Sequence, residues 1–280
     1  FNKNKVVSKI FSKFWSFIFW LINKKKFETG IFVFDLPPYG GKRNSENLVW
    51  LEKIIFNSVD KIFVPSKKYA LKSKIILDNS SKIVEFILYD HLDYSKSGKF
   101  IVSKFDVKNL KIVFSANLTK DRISLLDILN LPYLKSVTYY ITGPNGDWLH
   151  NKLKTRKDII YLGLLRDAEL EKLHKKCDFG LIIYSGDFHN YFKYLICGKL
   201  TTYINHCLPV ITLDNYIGIS EFVKNQNIGI SFKSIEEIKE IDKYIDLEYY
   251  KKMVENQIIL RESIQKLEHY SLIFDDGNRV

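Results

Sequence analysis

The chain has 280 residues, more than the roughly 100–200 of one ordinary domain, so two domains are expected. Hydrophobic residues make up 46% of it and aromatics 15%, which excludes a disordered polymer, and their dispersal excludes a bundle of membrane spans. Lys and Arg total 43 against 32 for Asp and Glu; the formal charge of +11 suits phosphate-bearing partners, but Lys is abundant everywhere and charge alone decides nothing.

The chain begins at Phe1 rather than at a methionine, so further residues are expected upstream. Val6, Val7, Ile10, Phe11, Phe14, Phe17, Ile18, Leu21 and Ile22 recur at helical spacing, with Lys9, Lys13 and Asn23 opposite, and this predicts an amphipathic helix. Its uncharged apolar stretch is well short of the roughly 20 residues that cross a bilayer. Trp20 and the run Lys24, Lys25, Lys26 leave two readings of residues 6–26: peripheral contact with an anionic membrane surface, or a core helix with a solvated lysine end.

Short β-rich runs then alternate with helical ones, the pattern of parallel sheets covered by helices. Ile31–Asp35, Ile62–Val64 and Val84–Tyr89 read as strands, with helices at Ser45–Val59 and after Ser66. Residues 1–106 thus form the latter part of one Rossmann-like domain. After a charged linker, strands are predicted at Lys111–Ser115, Val137–Thr142, Ile159–Tyr161, Phe179–Tyr184, Val210–Leu213 and Ile228–Ser231. Between them lie helices at Thr119–Asn130, Asp167–Lys176, Phe192–Asn205 and Ile219–Asn225, a complete doubly wound unit over 107–246. The remainder, 247–280, carries an amphipathic helix near Leu247–Leu267 that is expected to pack back towards the first domain.

No Walker loop, G-x-G-x-x-G, G-x-S-x-G or H-E-x-x-H occurs, and those enzyme classes drop out. Cys177, Cys197 and Cys207 have no metal-ligand spacing and leave an odd thiol if two pair, which favours a reducing, cytoplasmic home. In doubly wound domains ligands bind beyond the carboxyl ends of the strands, so a cleft between two such domains is the place for chemistry. The sharpest local signal is a strand, a polar loop and a helix carrying Gly198, Lys199, Thr201 and Thr202 before the strand L-P-V-I-T. Backbone N–H groups at a helix start, hydroxyls and one lysine make an anion site suited to a diphosphate.

The segments G-K-L-T-T, C-L-P-V-I and I-S-E-F-V-K-N-Q-N-I-G follow one another in the order found in the nucleotide-binding half of GT-B glycosyltransferases. The chain resembles most closely the bacterial family containing the glucosyltransferase that extends N-acetylglucosamine on serine-rich-repeat adhesins, together with the related β-1,6-galactofuranosyltransferases. Upstream, F-S-A-N-L-T-K-D-R (Phe114 to Arg122), Y-L-G-L-L-R-D (Tyr161 to Asp167), F-D-L-P-P and I-F-V-P-S are similar to further family segments, so the resemblance covers most of the chain. Phe34 stands where the family has a histidine before Asp35, and His206 and Cys207 replace small residues before P-V-I.

The resemblance implies an α/β GT-B fold, two Rossmann-like domains facing a cleft, an acceptor domain first and a nucleotide-sugar domain second. It implies a hexosyltransferase taking glucosyl or galactofuranosyl from a UDP-sugar to a glycan, glycolipid or glycoprotein acceptor, without a bound metal or prosthetic group. Lys199 with Gly198, Thr201 and Thr202 would meet the diphosphate, while Leu164, Leu165 and Arg166 would lie beside uracil and ribose. Asn117, with Lys120 and Arg122, lies on the loop after the second domain's first strand. Glu221 would bind ribose or sugar, or simply satisfy a helix N-terminus. A base for the acceptor hydroxyl must be a carboxylate or histidine of the first domain: Asp35 is the first choice and His91, beside Asp90 and Asp93, the second, each with a turn or cap role as the alternative. A catalytically silent GT-B partner or chaperone of another transferase is the competing function. A homo-oligomer is left open, and no nucleic-acid-reading motif occurs.

Overall fold

The computed structural model describes residues 29–33, 55–66, 68–69, 83–87, 105–120, 125–184 and 193–266. The expected helix at residues 6–22, the linker after Gly98 and the candidates Asp35, His91 and Arg122 lie outside the described residues. The chain divides into two units, Phe1–Leu88 and Tyr89–Val280.

In the first unit, strands β1 (Gly30–Phe32), β2 (Lys61–Val64) and β3 (Ile83–Glu85) form a parallel sheet in that order. Its core is aromatic: Phe63 stacks on Phe32 at 4.6 Å and takes the edge of Phe86 at 5.8 Å. Such pairs add to area burial through ring geometry. At the strand entries the Thr29 N–H and hydroxyl both donate to Asp60 Oδ2, at 2.8 and 2.9 Å, tying the start of β1 to that of β2.

The second unit carries β4 (Leu110–Ser115), α1 (Leu125–Leu129), β5 (Val137–Thr142), β6 (Ile159–Tyr161), α2 (Asp167–His174), β7 (Phe179–Leu181), α3 (Gly198–Asn205), β8 (Val210–Leu213), α4 (Ile217–Gln226), β9 (Gly229–Phe232), α5 (Ile241–Tyr244) and α6 (Leu247–Gln265). All six strands are parallel, in the order β6-β5-β4-β7-β8-β9. The chain enters at the centre, moves outward to β6, then returns to the other side of β4. Sheets covered on both faces need strands without polar alternation, and β4, β7 and β8 are buried along nearly their whole length.

Two expectations shift. Thr119 and Lys120 are not helical: the Asn117 side chain accepts the Thr119 N–H at 3.3 Å and Leu118 donates to Pro144 O at 2.9 Å, which ties this loop to the one after β5. The helix expected from Phe192 opens only at Gly198: Cys197 is extended (φ −97°, ψ 153°), and the Lys193 carbonyl accepts from Gly218 at 3.3 Å.

Asp246 caps α6 by accepting the Tyr249 N–H at 2.7 Å, and the helix is fastened to the second unit's own sheet. Tyr250 stacks on Phe105 at 4.1 Å and reaches the edge of Phe179 at 5.4 Å, while Gln257 donates to the carbonyls of Leu208 and Ile228 at 3.1 and 3.3 Å. Tyr250, Met253, Val254 and Ile264 are thus part of that unit's core. Among the described residues no helix is long and apolar enough to cross a membrane.

Candidate active site

The strand order reverses between β4 and β7. Where neighbouring strands send their connections in opposite directions, the loops at their carboxyl ends part and leave a crevice for a ligand. The loop after β4 runs through Ala116–Lys120, and β7 runs on into Ile182–Tyr184.

Lys199 sits in the first turn of α3, the helix that follows β7. Its ammonium lies 4.4 Å from the centroid of the Tyr184 ring and 5.8 Å from that of Phe114, a buried residue of β4, and donates to the Tyr184 hydroxyl at 3.2 Å. The lysine head thus occupies the reversal point itself. At the opening of α3 Gly198 is exposed, and the N-cap Cys197 makes no side-chain cap hydrogen bond. An uncapped helix start beside a lysine is suited to an anion.

The two threonines behave differently. Thr201 is buried, and the Thr202 hydroxyl donates back to Gly198 O at 3.2 Å. The structure brings Gly198 and Lys199 together at the crevice.

On the other side of the reversal the loops after β4 and β5 are bound to each other. Ala116 donates to Thr142 O at 3.0 Å, Asn145 Nδ2 to Asn117 Oδ1 at 3.0 Å, and Trp148 Nε1 to Leu118 O at 2.8 Å. Gly143 allows this approach: at φ +143° a Cβ there would lie 1.7 Å from Ala116 O. Asn117 is exposed, and its side-chain carbonyl oxygen is committed inside the loop. Lys120 lies over the Trp148 ring at 5.8 Å.

The segment after β6 is fixed by Gly163, whose carbonyl accepts from Gly143 N at 2.9 Å and from the Thr142 hydroxyl at 2.7 Å. Beyond it Leu164 is 71% exposed, Leu165 packs against the core, and the exposed Arg166 donates its backbone N–H to Glu169 Oε2 at 3.0 Å as α2 begins. These residues stand at the carboxyl end of the edge strand, on the same rim of the sheet as Lys199. Glu221 is exposed on α4, but that helix opens at Ile217 and has no acidic residue in its first turn. A dipole-capping role is thereby removed for Glu221.

Sequence reasoning missed the frame around Lys199. Tyr216, one residue before α4, accepts the Tyr184 N–H at 2.7 Å and donates to the Tyr184 carbonyl, gripping that residue by its main chain. Burial, with Cys197 as the next cause, pushes the Tyr184 phenol well above its ordinary range, so it is a neutral hydroxyl. Burial likewise pushes Tyr216 up to about 12. Their only sequence signal was position: Tyr184 ends a predicted strand. Among the described residues no group of three His, Cys, Asp or Glu could hold a metal ion.

Residues 112–271, more than half of the chain, match the family described as glucosyltransferase 3-like, C-terminal domain. The chain belongs to that family. It is 25% identical over 208 residues to the β-1,6-galactofuranosyltransferase WbbI of Escherichia coli strain K12, an overlap of 71% of this chain and 57% of that relative. The overlap therefore leaves out more than a third of the relative's length. Among solved structures, Anabaena Alr3699/HepE in complex with UDP matches with a TM-score of 0.59 at 12% identity, covering 91% of this chain and 73% of that one. A Thermobaculum terrenum O-GlcNAc transferase mutant matches with a TM-score of 0.53 at 14% identity, covering 77% and 43%. The fold is that of GT-B glycosyltransferases.

Proposed function

We propose that this chain is a UDP-sugar-dependent hexosyltransferase. It would move a glucosyl or galactofuranosyl residue to a glycan, glycolipid or glycoprotein acceptor in bacterial surface polysaccharide or glycoprotein synthesis. The observation that carries the reading is the Lys199 ammonium at the sheet's reversal point, in the first turn of an uncapped helix. Family membership and the UDP bound by a protein of the same fold point the same way.

In the reaction the bond from the anomeric carbon to the UDP oxygen breaks as the acceptor hydroxyl oxygen bonds to that carbon, and negative charge collects on the departing diphosphate. Lys199 and the first amides of α3 meet that charge in a partly buried setting, where fixed donors stabilise it more than water does. Leu164 and Leu165 through their main chain, and Arg166 through its side chain, take the uracil and ribose. From β6 to β7 is three strand spacings of about 4.8 Å each, a span an extended nucleoside diphosphate can bridge. Asn117 contributes its amide, and Glu221 is the candidate for ribose or sugar hydroxyls. Residues 107–246 with α6 form the donor unit. Asp35, with His91 second, is assigned as base for the acceptor proton on residue type alone, and residues 6–26 as a peripheral membrane contact on the same footing.

The test is a thermal-shift and calorimetric panel of UDP, GDP, UDP-glucose and UDP-galactofuranose on the wild type and Lys199→Ala. A nucleotide at a hundred times its Kd should add about 2.7 kcal/mol of stability. UDP compounds are expected to stabilise the wild type more than GDP does, and to lose at least tenfold in affinity in the variant. No stabilisation of the wild type by any nucleotide sinks the reading; equal affinity in both proteins removes Lys199 from it. UDP binding with no turnover of any UDP-sugar would move the chain to the silent-partner class.

A further inference from the structure

We propose that Tyr184 is a positioning residue for Lys199, holding its ammonium at the mouth of the β4/β7 crevice in the absence of ligand. The proposal rests on the donor reading above for what the lysine meets there. A lysine stem has four rotatable carbons and a compact head, so an unrestrained one pays its ordering entropy on binding. Here the head is met twice by one side chain: the Tyr184 hydroxyl accepts one of its three N–H donors at 3.2 Å, and the ring lies under it at 4.4 Å.

Tyr184 is itself fixed from behind. Beyond Leu181 the β7 ladder with β8 continues only through Ile182 N–H to Ile211 O at 2.9 Å. There the buried Tyr216 takes over, its hydroxyl accepting the Tyr184 N–H at 2.7 Å and donating to the Tyr184 carbonyl, with the two rings edge-on at 5.7 Å. Tyr216 in turn is anchored by its own N–H to Leu213 O at 3.0 Å. A chain of contacts therefore runs from the end of β8 through Tyr216 and Tyr184 to the Lys199 head. Because burial keeps the Tyr184 phenol neutral, it accepts from the ammonium without becoming a counter-ion that would compete with a diphosphate.

The test uses Tyr184→Phe, which keeps the ring and removes the hydroxyl, with Tyr216→Phe as a second variant that frees the Tyr184 main chain; cooperative melting checks that both fold. By calorimetry, Tyr184→Phe should weaken UDP about tenfold and uridine, which lacks the diphosphate, less than twofold. In a Lys199→Ala background the added Tyr184→Phe should cost less than twofold. Tyr216→Phe should act in the same direction. An unchanged UDP affinity in Tyr184→Phe, an equal loss for uridine, or an equal loss in the Lys199→Ala background overturns the proposal. A second readout needs no nucleotide: the rate at which acetic anhydride acetylates Lys199, followed by peptide mass spectrometry against the other lysines. It should rise at least threefold in Tyr184→Phe, and an unchanged rate overturns the proposal even if the wild type proves to bind no UDP, an outcome that sinks the donor reading alone.

Discussion

The ring of Tyr203 occupies the space a side chain at Gly180 would need. A Cβ at Gly180 would lie 2.5 Å from Cδ2 of that ring, so β7 carries glycine where α3 lays its tyrosine. At the far end of the ring the hydroxyl lies 3.3 Å from the carbonyls of both Val113 and Leu181 and accepts the Ser115 N–H at 3.4 Å. The β4–β7 register ends at Val113↔Gly180, so one buried hydroxyl supplies partners that the parting strands no longer exchange.

Gly180→Ala should destabilise the chain by about 1–3 kcal/mol through overpacking. Tyr203→Phe should cost about 1–3 kcal/mol, because the phenol leaves buried backbone groups unmet. The double variant Gly180→Ala/Tyr203→Leu should lose less than the sum of its single changes, since the smaller side chain relieves the clash. Urea unfolding of the set measures this; strict additivity would mean the two residues do not share the space.

Asp178 accepts the Lys111 N–H at 2.7 Å, yet burial outweighs that bond and raises its carboxyl from 3.8 to about 6. The folded chain holds this proton more tightly than the unfolded one, so the contribution is present below pH 4 and is lost as pH rises through 6, on the order of 3 kcal/mol in all. Asp178→Asn keeps the acceptor and never ionises. It should match the wild type near pH 4 and exceed it at pH 8 in chemical denaturation.

His174 behaves in the opposite sense. Burial first, and His206 at a ring distance of 4.6 Å second, lower it from 6.5 to about 3; Tyr203 lies edge-on at 5.7 Å and Ser115 Oγ 3.4 Å from Nε2. The neutral ring is favoured above pH 6.5, and stability falls as pH drops from there towards 3, by about 2 kcal/mol at pH 5. Between pH 7 and 5 the losses at His174 and the gains at Asp178 partly cancel. His174→Phe should therefore gain stability on acidification across that window and Asp178→Asn should lose it more steeply than the wild type; parallel profiles for all three proteins would count against both assignments.

Arg156 holds the Asp158 carboxylate in a two-bond fork at 2.9 and 2.6 Å, and its remaining donors reach the carbonyls of Leu129 at 2.5 Å and Leu131 at 2.8 Å, closing the end of α1. Arg156→Met should cost about 3 kcal/mol by stranding a buried carboxylate, and Arg156→Lys should recover little, since an ammonium cannot reproduce the fork. Replacing both partners by apolar residues should cost less than the single change, as equilibrium unfolding would read out.

The strands of the second unit were legible because a sheet covered on both faces demands apolar runs: Val137–Thr142, Ile159–Tyr161 and Val210–Leu213 fall on the predicted residues, and β4 and β9 within one residue. Helix starts were less so, because the backbone of one or two residues decides them: the extended Cys197 holds α3 back to Gly198, and Thr119 and Lys120 stay in the loop after β4. Lys199 stood out through its loop-helix-strand setting. Its supports did not, since Tyr184 and Tyr216 are two of 17 tyrosines and only tertiary packing selects them. Thr202 was legible as a residue of the same helix opening, while the bond its hydroxyl makes to Gly198 O was not.

The burial of α6 bears on where this chain can be cut. Tyr250, Met253, Val254, Gln257, Arg261 and Ile264 are buried along it, and Gln257 stitches the approaches to β8 and β9. A shortened protein ending at residue 246, the natural choice from strand count alone, would open a trough down the second unit and expose Phe179 and Phe105. The smallest autonomous piece of the second unit must therefore run through Gln265.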